Sequence, residues 1–205
     1  MYKRDIEDII EHIEASPEGL VDCVEFVLCS IRASLSSIKE QRKDIASAGL
    51  KSKYLWGQKS AGLAYVREHK TVLWLNLLEL KEQSTSNPKV IVQALKLAMA
   101  IPNIGLVKAG FILQLMGFDV ACLDMHNLER LGLAPNAFSI NAKLKEATQT
   151  KKMIAYVKLC QKKGTEYWWN SWCDYVAGNR MNKNLSTGDL VSRYHVHLLT
   201  NFKSI

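Results

Sequence analysis

Residues 101 to 117 read IPNIGLVKAGFILQLMG. Pro102 lacks an amide hydrogen and ends the helix before it, Gly105 supplies a tight turn, and Leu106 opens an apolar, alanine-containing helix. Two helices joined by a very short turn follow, a hairpin at residues 101 to 116. Such a turn leaves the amides of Asn103, Gly105 and Val107 unpaired at a helix N-terminus, where the helix dipole favours an anion such as a DNA phosphate. That contact would be independent of base sequence. Pro and Gly also make ordinary helix corners, so spacing alone leaves both readings open.

Upstream of the hairpin, apolar residues recur at helical spacing. Ile6, Ile9, Ile10 and Ile13 predict a first helix, and Ser16-Pro17 starts a new element. From Leu20 to about Ala46 the series Val21, Val24, Val27, Leu28, Ile31, Leu35 and Ile38 predicts one long second helix, closed by Ala48-Gly49. The stretch KSKYLWGQKSAGLAYVREHK (51 to 70) is mixed, with Gly57 and Gly62 against helix, whereas TVLWLNLLELKE after it reads as a buried helix. STSNP breaks the chain at 84 to 88, with Asn87 as N-cap and Pro88 as the first residue of a helix reaching Ala100. Downstream, 141 to 163 and 165 to 177 read as two helices divided by Gly164, with a polar tail from Asn179. No stretch alternates as a strand and no repeat is visible. The expected fold is an all-α bundle, one compact body over residues 1 to 205 or two packed helical subdomains.

The chain has 205 residues, 48% hydrophobic and 23% charged, the balance of a globular protein. A net charge of +7 suits a polyanionic partner. Lys143, Lys145, Lys151, Lys152, Lys158, Lys162 and Lys163 load one stretch, as a solvated helix face or as a flank facing phosphate. Five cysteines, Cys23, Cys29, Cys122, Cys160 and Cys173, form no CxxC pair, so neither a zinc site nor a thioredoxin motif is proposed. Apolar runs are too short or too polar to span a bilayer, and the opening residues are amphipathic and acidic, unlike a signal peptide. A soluble, intracellular protein in a reducing compartment is expected, with no membrane partner.

The hairpin resembles that of the helix-hairpin-helix DNA glycosylases: hydrophobic, Pro, Gly, hydrophobic, Gly, three variable residues, Ala. Ile101, Pro102, Ile104, Gly105 and Ala109 stand in register, and Asn103 replaces a glycine in a position where asparagine tolerates left-handed angles. The following run, VACLDMHNLERLGL (120 to 133), is similar to the family sequence of apolar residues, Asp, any residue, His, then a helix ending in Arg-Leu-Gly. Asp124 and His126 fall on the Asp and the His. The resemblance covers about residues 88 to 134 and elsewhere extends only to helical character.

The resemblance implies duplex DNA as partner, no protein partner, and a base-excision reaction. Asp124 would be the catalytic carboxylate, stabilising the oxocarbenium-like sugar and activating the nucleophile, although its position equally predicts an N-cap for the next helix. Relatives that also cleave the strand carry a Schiff-base lysine where this chain has Val107. Lys108, one residue on, should point about 100° away as a surface lysine contacting DNA phosphate, which favours a monofunctional enzyme; a shifted hairpin would bring Lys108 inward as a catalytic amine. His126 would touch phosphate, or simply occupy a helix face. An everted base needs a stacking surface, for which Val107, Phe111 and Trp169 are the candidates; Trp168, Trp172 and Tyr175 share one helical face and suit the core. The four clustered cysteines of iron-sulfur relatives are lacking, so no cluster or other cofactor is expected, although hairpin carbonyls in this family can hold a monovalent cation. Two alternatives stay open: a noncatalytic DNA-binding protein, and a relative that processes modified bases, as in viruses.

Overall fold

A computed structural model describes residues 2 to 31, 33, 35 to 141 and 143 to 170. In chain order its helices are α1 (Tyr2–Ala15), α2 (Pro17–Ser30), α3 (Leu35–Ala48), α4 (Lys59–Gln83), α5 (Pro88–Met99), α6 (Leu106–Leu115), α7 (Met125–Arg130) and α8 (Glu146–Lys163), and residues 165 to 170 are again helical. No strand occurs among the described residues, so the chain is all-α.

α2 is the centre of the bundle. Ser16 caps it, its hydroxyl accepting from the Gly19 amide at 3.3 Å, and Pro17 supplies a first residue that needs no acceptor. Leu20, Cys23, Val24, Phe26, Val27 and Leu28 are fully buried against α1, α3, α4 and α6. The single long helix expected from Leu20 to Ala46 is instead two. Ile31 leaves the helix at φ −69°, ψ 115°, and its carbonyl accepts from the Lys59 ammonium at 3.1 Å. α3 then packs back on α2, because Arg42 donates to Glu25 and Asp22, each at 3.0 Å. The apolar spacing runs through the break since both helices turn their apolar residues to the same core.

α4 runs unbroken through Gly62, where sequence opposed helix. A Cβ there would lie 2.4 Å from the Pro102 carbonyl, so the missing side chain lets α4 press directly on the hairpin. Nor is the second half of α4 buried throughout: Leu73 and Leu77 face the core while Val72 (63%) and Leu75 (53%) are exposed. Asn87 caps α5 as expected, accepting from the Lys89 amide at 3.0 Å. α8 begins at Glu146, later than position 141, because Asn141 accepts from the Lys143 amide at 2.9 Å and builds a local turn instead. Gly164, at φ 83°, closes α8. The expected helix beyond residue 170, with Trp172, Cys173, Tyr175 and the tail from Asn179, lies outside the described residues.

Candidate nucleic-acid interface

α5 and α6 form the hairpin, anchored by buried Ile101 and Ile104. Asn103 takes the left-handed turn position at φ 68°, the one non-glycine residue to do so among those described. Gly105 is not the left-handed residue. It is extended (φ −89°, ψ 178°), serves as N-cap of α6 and provides no side-chain cap. Of the described glycines, Gly105 alone combines an unstrained backbone with open space within 4 Å of where a Cβ would sit. Neither turn geometry nor internal packing requires glycine there. Among the described residues nothing accepts from the amides of Asn103, Gly105, Leu106 or Val107, leaving an uncapped, positive helix end beside a bare backbone.

Residues 118 to 124 connect α6 to α7 in an irregular path, with Phe118, Val120, Ala121, Cys122 and Leu123 all buried. Buried backbone groups need partners, and side chains from three helices supply them. Gln114 of α6 accepts from the Cys122 amide at 3.0 Å. Asn127 of α7 donates to the Cys122 carbonyl at 2.9 Å. Tyr156 of α8 donates to the Ala121 carbonyl at 2.6 Å and accepts from the Leu123 amide at 3.1 Å. Gly110 of α6 makes room for this junction: a Cβ there would meet the Tyr156 hydroxyl at 2.6 Å and the Ala121 carbonyl at 2.8 Å.

Asp124 ends the braced segment, half-buried, and caps α7 by accepting from the Asn127 amide at 3.0 Å through Oδ1. Among the described residues nothing donates to its second oxygen. Burial pushes the neighbouring Cys122 thiol up to about 12, and the charges of Lys108 and Asp124 act on it in opposite directions. The lysine and the carboxylate therefore lie within electrostatic reach of one thiol.

Lys108 does not point away into solvent. It is half-buried, its ammonium donates to the Ser30 hydroxyl at 3.2 Å and lies 5.7 Å from the Phe111 ring centre. Val107 and Lys108 line a cleft of about 270 Å³ together with Gly105, Leu128, Phe138 and Ile140. Phe111 and Trp169 are not part of it. Phe111 is 2% exposed and meets Phe26 edge-on at 6.1 Å, and Trp169 is equally buried beside Trp168. The three candidates for a base-stacking surface thus do not share one wall. The side chain of His126 lies outside the described residues.

Lys143, Lys145, Lys151, Lys158, Lys162 and Lys163 are exposed, whereas Lys152 is half-buried and donates to the Ser139 carbonyl at 3.0 Å on the cleft rim. Ser30 and Tyr156 are not legible in the sequence because their partners lie far along the chain, and Gln114 and Asn127 because the backbone they satisfy at Cys122 is irregular and carries no motif. Among the described residues no group of three or more His, Cys, Asp or Glu side chains could hold a metal ion, and no helix is long and apolar enough to cross a membrane. Comparisons with family models, with curated proteins and with solved structures give no match.

Proposed function

We propose that this chain binds duplex DNA through the 101 to 116 hairpin and hydrolyses the N-glycosidic bond of an everted base, with Asp124 as the working carboxylate. The observation that carries the reading is Gly105, a glycine that neither backbone angle nor packing demands, at the open N-terminus of α6. Its lack of a side chain is useful to something outside the protein that must approach the backbone, and a phosphate group suits donors and a positive helix end. The net charge of +7 agrees in sign.

In the proposed reaction the base leaves the stack and the bond from C1′ to the base nitrogen breaks, with the bonding pair departing with the base. The second oxygen of Asp124 faces the cationic sugar that develops, and takes the proton of the water that adds to C1′. Free base and an abasic site are the products. A second reading, in which the Lys108 amine replaces water at C1′, forms an imine with the opened sugar, and the strand breaks by loss of a C2′ proton and departure of the 3′ phosphate, is favoured by its half-buried place on the cleft beside Val107.

Duplexes carrying uracil, 8-oxoguanine, alkylated purines, oxidised pyrimidines or hydroxymethylated pyrimidines test both. Breaks appearing only after hot alkali, without borohydride trapping, are expected; trapping would make Lys108 a nucleophile. Salt-sensitive binding with no product on any duplex would leave a noncatalytic DNA-binding protein. Gly105→Val should weaken binding to all duplexes alike, about tenfold, at an unchanged melting temperature; unchanged affinity would remove the hairpin from the interface.

A further inference from the structure

On the N-terminal side of Asp124, nothing regular holds the chain. The chain before it is neither helix nor strand from residue 118 to 124, yet it is buried, and a carboxylate used on one face of a sugar must be held to within about half an ångström. The side-chain hydrogen bonds to this segment converge on the three residues directly before Asp124. Tyr156 grips both the Ala121 carbonyl and the Leu123 amide, and Gln114 grips the Cys122 amide between them. Gln114 is itself fixed, donating to the Thr165 carbonyl at 3.4 Å, and the Tyr156 ring is fixed edge-on against Phe138 at 5.3 Å.

We propose that Tyr156 and Gln114 are positioning residues for the Asp124 carboxylate, an assignment that rests on the glycosylase reading. Both act through the backbone of residues 121 to 123 and neither touches substrate. Burial, chiefly, raises the phenol of Tyr156 well above its ordinary value, which favours the neutral donor form. Gly110 belongs to the same device, since α6 must lack a side chain there for the Tyr156 hydroxyl and Ala121 to meet.

Tyr156→Phe keeps the ring and removes the two hydrogen bonds. On the duplex that wild-type protein processes, it should lower kcat at least tenfold while KM and duplex affinity stay within twofold, and it should add nothing to Asp124→Asn. Faster amide exchange is expected at residues 121 to 127 and not at 101 to 108. Gln114→Met should show the same split and decides the matter if Tyr156→Phe does not fold. Wild-type kcat in both variants, or a parallel loss of affinity and kcat, overturns the assignment while the glycosylase reading stands. Wild-type protein that releases no base from any duplex overturns the reading and the assignment with it.

Discussion

In the seam between α2, α3 and α4 the helices are tied by a buried ion pair; the buried side chains that hold residues 121 to 123 are neutral. Arg42 is 1% exposed and Glu25 5% exposed, and the pair sits in a network of ions that continues to Asp22 and Arg67, with His12 hydrogen-bonded to Asp22. The Asp124 segment instead closes through two amide side chains at Cys122 and a phenol that binds the residues on either side of it. An ion left without its partner in the interior retains its full desolvation cost, whereas a neutral group loses roughly one hydrogen bond. The ionic seam therefore fixes where α3 goes and should fail abruptly. The neutral junction can be altered group by group, as a site that sets the position of one carboxylate requires.

That contrast can be broken by substitution. Arg42→Ala should be the most damaging change, costing about 3 kcal/mol of stability. Arg67 still donates to Glu25 at 3.2 Å, which keeps the loss at the lower end. Urea unfolding measures it, and a loss under about 1 kcal/mol would show that the seam is no different from an exposed ion pair. Gly110→Ala comes next. Its Cβ has no room against Tyr156 and Ala121, so overpacking should cost about 1–3 kcal/mol. A neutral or stabilising result would mean that the α6 to Tyr156 junction is looser than its distances imply.

The smallest expected effect is a pH dependence at Lys59. Lys59 is 1% exposed at the α2 end, and burial, helped by the charge of Lys108, holds its ammonium below the usual lysine range. The folded state then sheds this proton before the unfolded state does. Between the lowered value and about 10.4, the unfolded chain binds more protons, so this lysine makes stability rise with pH. Wild-type protein should gain stability relative to Lys59→Met as pH is raised across that window, by unfolding at several pH values. Parallel curves would show that Lys59 is as well solvated folded as unfolded.

Residues whose role is set by their own chemistry were legible before the structure. Asn87-Pro88 started α5, and Asp124 capped α7, because capping is a contact of a side chain with amides two or three residues on. Asn103 took the left-handed angle that its short polar side chain tolerates. Periodicity located α1, α5 and α6, but it ran straight through the α2 to α3 break. Helical geometry gave the angle of Lys108 about α6 without saying that the end of α2, with Ser30, lies in that direction.

What sequence by itself determined is therefore local: an all-α chain, a hairpin at 101 to 116, the cap at Asp124, and a positive balance. Tertiary structure alone decided which groups meet. It folded α3 back through Arg42, drew Lys108 inward, buried Phe111 and Trp169, and brought Tyr156 across 35 residues to Ala121. The physical reason is that caps, turns and helical faces are satisfied within a few residues, while a buried carbonyl or ion takes whichever partner the packing of distant helices supplies.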